Sequence, residues 1–234
     1  MTPKVYGIEH ILYIVITTAL AVACLLLTKK FAKKEKTINI VLKCLAGLLF
    51  ISIIANRLSQ VFRYDTVRWH LIIPDSFCGM TSLVLSLAVL LGKDDNNVLH
   101  FVWLLGLFGG ISTVAYPSFV GQNASFFYLP TISGLLHHSF CATLVVGLLM
   151  FKKIRITYKK WYCTLFGFTC YLTLGAFLMQ TFNMNDAFHI VEPLLGGTPL
   201  TAWVMAPIYA VVYAIILFVI EFVRKKKSQK RQTV

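Results

Sequence analysis

Residues 8–34 read IEHILYIVITTALAVACLLLTKKFAKK. The block Ile8–Thr28 has Glu9 and His10 near its start and is otherwise almost wholly apolar, until Lys29, Lys30, Lys33 and Lys34 close it. An apolar run of about 20 residues is the length that crosses the hydrocarbon core of a bilayer. A cluster of lysines at one end is the mark of a cytoplasmic boundary. Preceded by Lys4, the block could imitate a signal peptide, but it has no convincing small-residue cleavage site and ends in a strong basic stop, so it reads as a span.

The same pattern recurs along the chain. Further spans are expected at about Ile38–Val61, Asp75–Leu91, Val98–Tyr116, Phe127–Phe151, Trp161–Phe182 and Thr201–Phe222. With their short loops they use up nearly all of the 234 residues. The expected fold is therefore an all-α, polytopic transmembrane bundle of seven spans. It forms one domain over residues 1–223, with a basic cytoplasmic tail over 224–234.

Composition agrees. Hydrophobic residues make up 58% of the chain and charged residues 13%, against about 45–50% and about 25% in soluble domains. The net charge of +13 would suggest nucleic acid in a soluble protein. Here the cations lie between apolar blocks, so nucleic acid is not an expected partner and membrane lipid is. Of the 22 Lys and Arg residues, seventeen fall on one side of the predicted spans. Lys4, Arg63 and Arg68 fall on the other, and Lys43 and Arg57 lie within the second span. Positive residues stay inside, which puts the N-terminus outside and the C-terminus in the cytoplasm. The Lys- and Ile-rich composition suggests a bacterial cytoplasmic membrane. The tail Arg224–Arg231 could attract anionic lipid, although a topology anchor explains it as well. No protein partner can be read from the sequence.

Cys24, Cys44, Cys78, Cys141, Cys163 and Cys170 form no CxxC pair, so neither a disulfide framework nor a zinc ribbon is expected. His70, Asp75, Cys78 and His138 are metal-ligand types without a ligand spacing, and no metal or cofactor is expected. Asn123-Ala-Ser125 is a glycosylation sequon, of consequence only in a eukaryotic secretory host.

Polar groups inside a membrane are costly and mark candidate sites. Asn56, Arg57 and Gln60 lie in the outer half of the second span, with Arg57 and Gln60 three residues apart on one helix face. Arg57 could hold an anionic group or pair with an acid such as Asp75 or Glu192. Asp75 and Ser76 can cap the third span. Cys78 falls in its first turn, where the helix dipole favours a thiolate, although a small packing residue is the plainer reading. His137 and His138 lie in the outer half of the fifth span. His138 shares a face with Thr131, Gly134, Cys141 and Ala142 and is either a bundle hydrogen-bonder or a general base. Gly106 and Gly110 form a GxxxG, most simply read as close helix packing. Cys78 is expected near the membrane surface and His138 eleven residues into its span, about 16 Å of rise. An irregular outer segment would have to close that gap.

Taken together, these motifs resemble one family. Ile73-Pro74-x-x-x-Cys78 is similar to the Leu-Pro-Leu-His-Leu-Cys opening of the third span in YwaF-like integral membrane proteins. Gly106-x-x-Gly109 followed by Pro117 resembles their Trp-Gly-Leu-x-Gly…Thr-Pro stretch. A histidine in the next span fits, as does Asn185 followed eight residues later by Pro193. Ser76 stands where the family has a histidine, and Asp186-Ala-Phe-His189 replaces a Tyr-Met-Tyr-Leu run. The likeness covers about residues 74–199 and extends to the animal transmembrane protein 164 relatives, which are lipid acyltransferases. It implies Cys78 as a nucleophile, His138 or His137 as its base, and Asn56 or Arg57 on a phosphate or oxyanion. A non-catalytic binding or accessory membrane protein, or a small-solute transporter, is the alternative.

Overall fold

A computed structural model describes residues 6–63, 66–117, 120 and 125–232, with 227–232 as backbone only. Asn123 of the sequon, Lys4 and the side chains at the end of the basic tail lie outside the described residues. Within them there are seven α-helices and no strand: α1 (Ile8–Phe31), α2 (Glu35–Val61), α3 (Phe77–Leu91), α4 (Asn97–Ala115), α5 (Leu129–Met150), α6 (Tyr162–Phe182) and α7 (Ala202–Gln232). Six are long and apolar enough to cross a membrane. The exception is α3, whose 15 residues rise only about 22 Å against a hydrocarbon core of about 30 Å.

Local chemistry sets the helix ends. Asn96 caps α4, its side chain accepting from the Leu99 N–H at 3.0 Å, as a short polar acceptor at an N-cap should. Pro130 sits in the first turn of α5, where its missing N–H has no intrahelical acceptor to lose. α6 ends on Asn183 in the left-handed region, at φ 50°, a C-terminal stop that asparagine tolerates.

The chain forms two compact units, Met1–Lys153 and Ile154–Val234. In the first, α5 packs against α2 and α4, α3 packs against the same two helices, and α1 lies against α5. Leu49, Ile53, Leu85, Val102, Leu135 and Leu144 fill the centre. Much of α1 faces outward with exposed Ile, Leu and Val side chains, the surface a bilayer covers. One end of the unit is tied by a buried amine. Lys153 Nζ lies 2.8 Å from both Glu35 Oε1, at the start of α2, and Asp94 Oδ2, in the α3–α4 loop. The Lys153 carbonyl accepts from the Asp95 N–H at 2.9 Å. Burial pulls the Lys153 amine down, but its bonds to Asp94 and Glu35 outweigh this and leave its pKa above the usual lysine value.

In the second unit α6 and α7 are joined by an ordered connection. Phe188 is buried there, with its ring 5.4 Å from that of Tyr171 on α6, and the Ala202 N–H donates to the His189 carbonyl at 2.6 Å. Pro207 lies inside α7, and Arg224 near its far end donates to the Ile156 carbonyl.

Candidate functional site

Cys78 is the second residue of α3. The Ser76 hydroxyl caps the helix by accepting from the Gly79 N–H at 3.2 Å. Asp75 and Ser76 therefore lie just outside the helix rather than within it, and α3 starts two residues later than the hydropathy suggested. The helix also starts deep. Cys78 to Leu91 is 13 residues, Gly109 back to Asn97 is 12, and both correspond to about 18–20 Å of rise. α3 thus runs beside α4 from the loop that joins them up to the level of Gly109 and stops there. Above it the chain makes a 3-10 turn at Trp69–Ile72 and then an extended stretch to Ser76.

Arg57 holds this irregular segment. Its Nε donates to the Leu71 carbonyl at 2.8 Å and its Nη2 to the Ile73 carbonyl at 3.4 Å. Its Nη1 pairs with Asp75 Oδ1 at 3.1 Å. Of the two acids weighed as partners, Asp75 is the one paired, and the guanidinium is spent on the backbone that leads into α3. Asn56, one residue earlier, donates to the Pro130 carbonyl and to Ser133 Oγ, each at 3.2 Å, and so joins α2 to the first turns of α5. Gln60 is half-buried.

Three glycines of α4 let the neighbouring helices approach. A Cβ on Gly109 would lie 2.9 Å from Cys78 Sγ, and one on Gly106 would lie 3.0 Å from Cys141 Sγ. A Cβ on Gly110 would lie 2.7 Å from the His138 carbonyl and 2.9 Å from Ala142 Cβ. The His138 ring hydrogen-bonds the Gly109 backbone. Cys78 and His138 therefore both lie against Gly109 of α4, and the low start of α3 is what brings Cys78 to that level. His137 is also buried, with its ring centroid 4.1 Å from that of His138. Its Nδ1 is 3.1 Å from Ser82 Oγ, and Ser82 also bonds the Cys141 thiol. His138 thus faces α4, and His137 faces α3.

The sequence reading passed over Ser82 and the Gly109 carbonyl. Ser82 lies four residues after Cys78, on the same helix face, which was a signal available in the sequence. No spacing rule points to a carbonyl. Cys78 is half-buried, whereas Cys141, His137 and His138 are buried. The cluster is thus a thiol in a helix's first turn, where backbone N–H groups have no intrahelical acceptor, beside an imidazole oriented by a carbonyl. A nucleophile, a base and an orienting group are the parts of a covalent acyl-transfer site. Among the described residues no group of His, Cys, Asp and Glu has the arrangement of a metal site.

The TMEM164 family model matches residues 5–223, which takes in α1 to α6 and α7 as far as Val223. No curated protein and no solved structure matches the chain.

Proposed function

We propose a function for this chain on the footing that it belongs to the TMEM164 family: a membrane-embedded lipid acyltransferase or hydrolase that uses Cys78 as its nucleophile and His138 as its base. The observation that carries this reading is that Cys78 and His138 both lie against Gly109. One ring N–H of His138 donates a hydrogen bond to the Gly109 carbonyl, which leaves the other ring nitrogen with its lone pair for the thiol. His138 takes the Cys78 proton as sulfur attacks the acyl carbon of an ester. The acyl–oxygen bond breaks, a thioester forms, and the alcohol leaves with the proton from His138. A second alcohol, or water, then gives its proton to His138, attacks the thioester and restores the thiol. The backbone N–H of Cys78, in the first turn of α3, is suited to the oxyanion. His137, held by Ser82, packs the base in place, and Arg57, Asn56, Gln60 and Asp75 shape the outer approach used by the substrate.

The wider setting belongs to the same proposal. The chain is a YwaF-like bacterial member of the family, in the cytoplasmic membrane. Its seven helices all pass into the bilayer, with the N-terminus outside and the basic tail inside, where the tail attracts anionic lipid. The Cys/His site opens towards the outer leaflet.

The test is covalent capture. Membranes holding the protein are incubated with a phospholipid bearing an alkynyl acyl chain, and hydroxylamine-sensitive label is mapped by mass spectrometry. Label is expected on Cys78, absent in Cys78→Ser and reduced about 100-fold or more in His138→Ala, the lower end of what a positioned base supplies. Label confined to the exposed Cys44 and Cys170, or unchanged in Cys78→Ser, would refute the assignment.

A further inference from the structure

At the end of the first unit where α2 begins and α3 finishes, far along both helices from Cys78, lies a cavity of about 300 Å³. This is at the lower end of the volumes that hold small ligands. Its floor includes Leu42 and Leu148, and its rim is made by Asn39, Lys43, Lys93 and Asp94. Lys43 lies eight residues inside α2, about 12 Å of helix rise from Glu35. An ammonium at that depth is costly unless it reaches the interface or meets an anion. Asp94 does not serve, because its carboxylate is held at 2.8 Å by Lys153, which also takes Glu35. Among the described residues neither Lys43 nor Lys93 forms an ion pair. The cavity therefore offers two uncommitted amines and an amide above a leucine floor.

We propose that this cavity binds the phosphate of an anionic phospholipid. Lys43 and Lys93 meet the phosphate oxygens, Asn39 adds a hydrogen bond, and the leucine floor receives the glycerol and the first methylenes of an acyl chain. A small inorganic anion would have no use for the leucines, and a neutral lipid would have none for the amines. The site stands apart from the Cys/His cluster and does not depend on the reaction assigned to it.

The experiment uses full-length protein in neutral phosphatidylcholine nanodiscs, titrated with phosphatidylglycerol, with retained lipid counted by native mass spectrometry. Removing two interfacial cations, at the strength such residues contribute near a lipid surface, is expected to weaken retention about thirtyfold. Lys43→Gln/Lys93→Gln should show that loss. Lys29→Gln/Lys33→Gln, which removes equal charge from the last turn of α1 and the loop after it, should retain lipid like the parent. Equal loss in both double variants, or in neither, overturns the proposal. Millimolar inorganic phosphate or glycerol 3-phosphate should leave the lipid bound. Displacement by either would make this a soluble-anion site and overturn the lipid assignment. If the double variant unfolds in neutral lipid, Lys93→Gln alone, on the exposed loop, should weaken retention about fivefold, and no change there refutes the idea.

Discussion

Adding one methyl group to α4 should have different consequences at adjacent positions. At Gly110 a Cβ meets the His138 carbonyl at 2.7 Å, Ala142 Cβ at 2.9 Å and Ala142 N at 3.0 Å. All of these belong to α5 backbone or to a side chain too short to move, so α4 and α5 must separate. Overpacking of this kind costs about 1–3 kcal/mol, and rigid neighbours put Gly110→Ala at the upper end. Ala in place of Gly returns about 1 kcal/mol of helix propensity. The net loss is about 2 kcal/mol, or roughly 4–8 °C in Tm for a chain of this size. At Gly109 the same methyl meets only Cys78 Sγ at 2.9 Å and Cys78 Cβ at 3.8 Å. One thiol can give way, so the cost of about 1 kcal/mol cancels the propensity gain of about 1 kcal/mol. Gly109→Ala should therefore melt with the parent while shifting the thiol and lowering acyl capture at Cys78. Gly47, with nothing within 4 Å of its would-be Cβ, is the control, and Gly47→Ala should gain about 1 kcal/mol. Melting curves in one detergent, read beside label at Cys78, decide the matter. Equal Tm for the Gly110 and Gly109 variants would show that α4 does not pack against α5 as described. Full capture in Gly109→Ala would separate Cys78 from this contact.

Breaking the Arg57 clamp should loosen the segment it binds. Arg57→Ala should cost about 3 kcal/mol, as for one half of a largely buried pair, and speed tryptic cleavage at Arg63 and Arg68, while Asp75→Asn should do less because Asp75 is the more exposed partner; equal cleavage in parent and variants would contradict the clamp. Ser82→Ala should remove the hydroxyl between His137 and Cys141 at about 1 kcal/mol, read as a lower Tm, with label at Cys78 less affected than in His138→Ala. The Lys153 amine is held above its ordinary pKa by Asp94 and Glu35, so its contribution is complete below the unfolded value and fades as pH rises through the folded one. The Tm gap between the parent and Lys153→Met should stay constant from pH 7 to about 10 and close above that, and a gap that widens at high pH would refute this account.

Hydropathy made the helices legible because a membrane span is an unbroken run of side chains, and their sum survives errors at single positions. The start of α3 was harder to read. Hydropathy opens the span at Asp75, and only the Ser76 cap and the Arg57 bonds to Leu71, Ile73 and Asp75 hold the chain irregular up to Ser76 and start the helix at Phe77. Spacing along the chain carried the candidates Cys78 and His138 but not their proximity, which depends on how deep one helix starts relative to another. Gly109 was visible as a small residue; its carbonyl as a partner for His138 was not, since every residue has one. The Lys153 tie left a faint trace, because Glu35, Asp94 and Asp95 are acids on a side otherwise crowded with lysines and arginines.

A helix of 15 residues set among longer ones leaves a column above its first turn that hydrocarbon cannot fill with safety, because irregular backbone must not face lipid tails. The Leu71 and Ile73 carbonyls in that column are already met by a guanidinium, and Asp75 is partly exposed. The groups above Cys78 are therefore polar peptide and its charged partners rather than hydrocarbon side chains. By ending early, α3 carries irregular, polar backbone to a depth that its longer neighbours cross as unbroken helix.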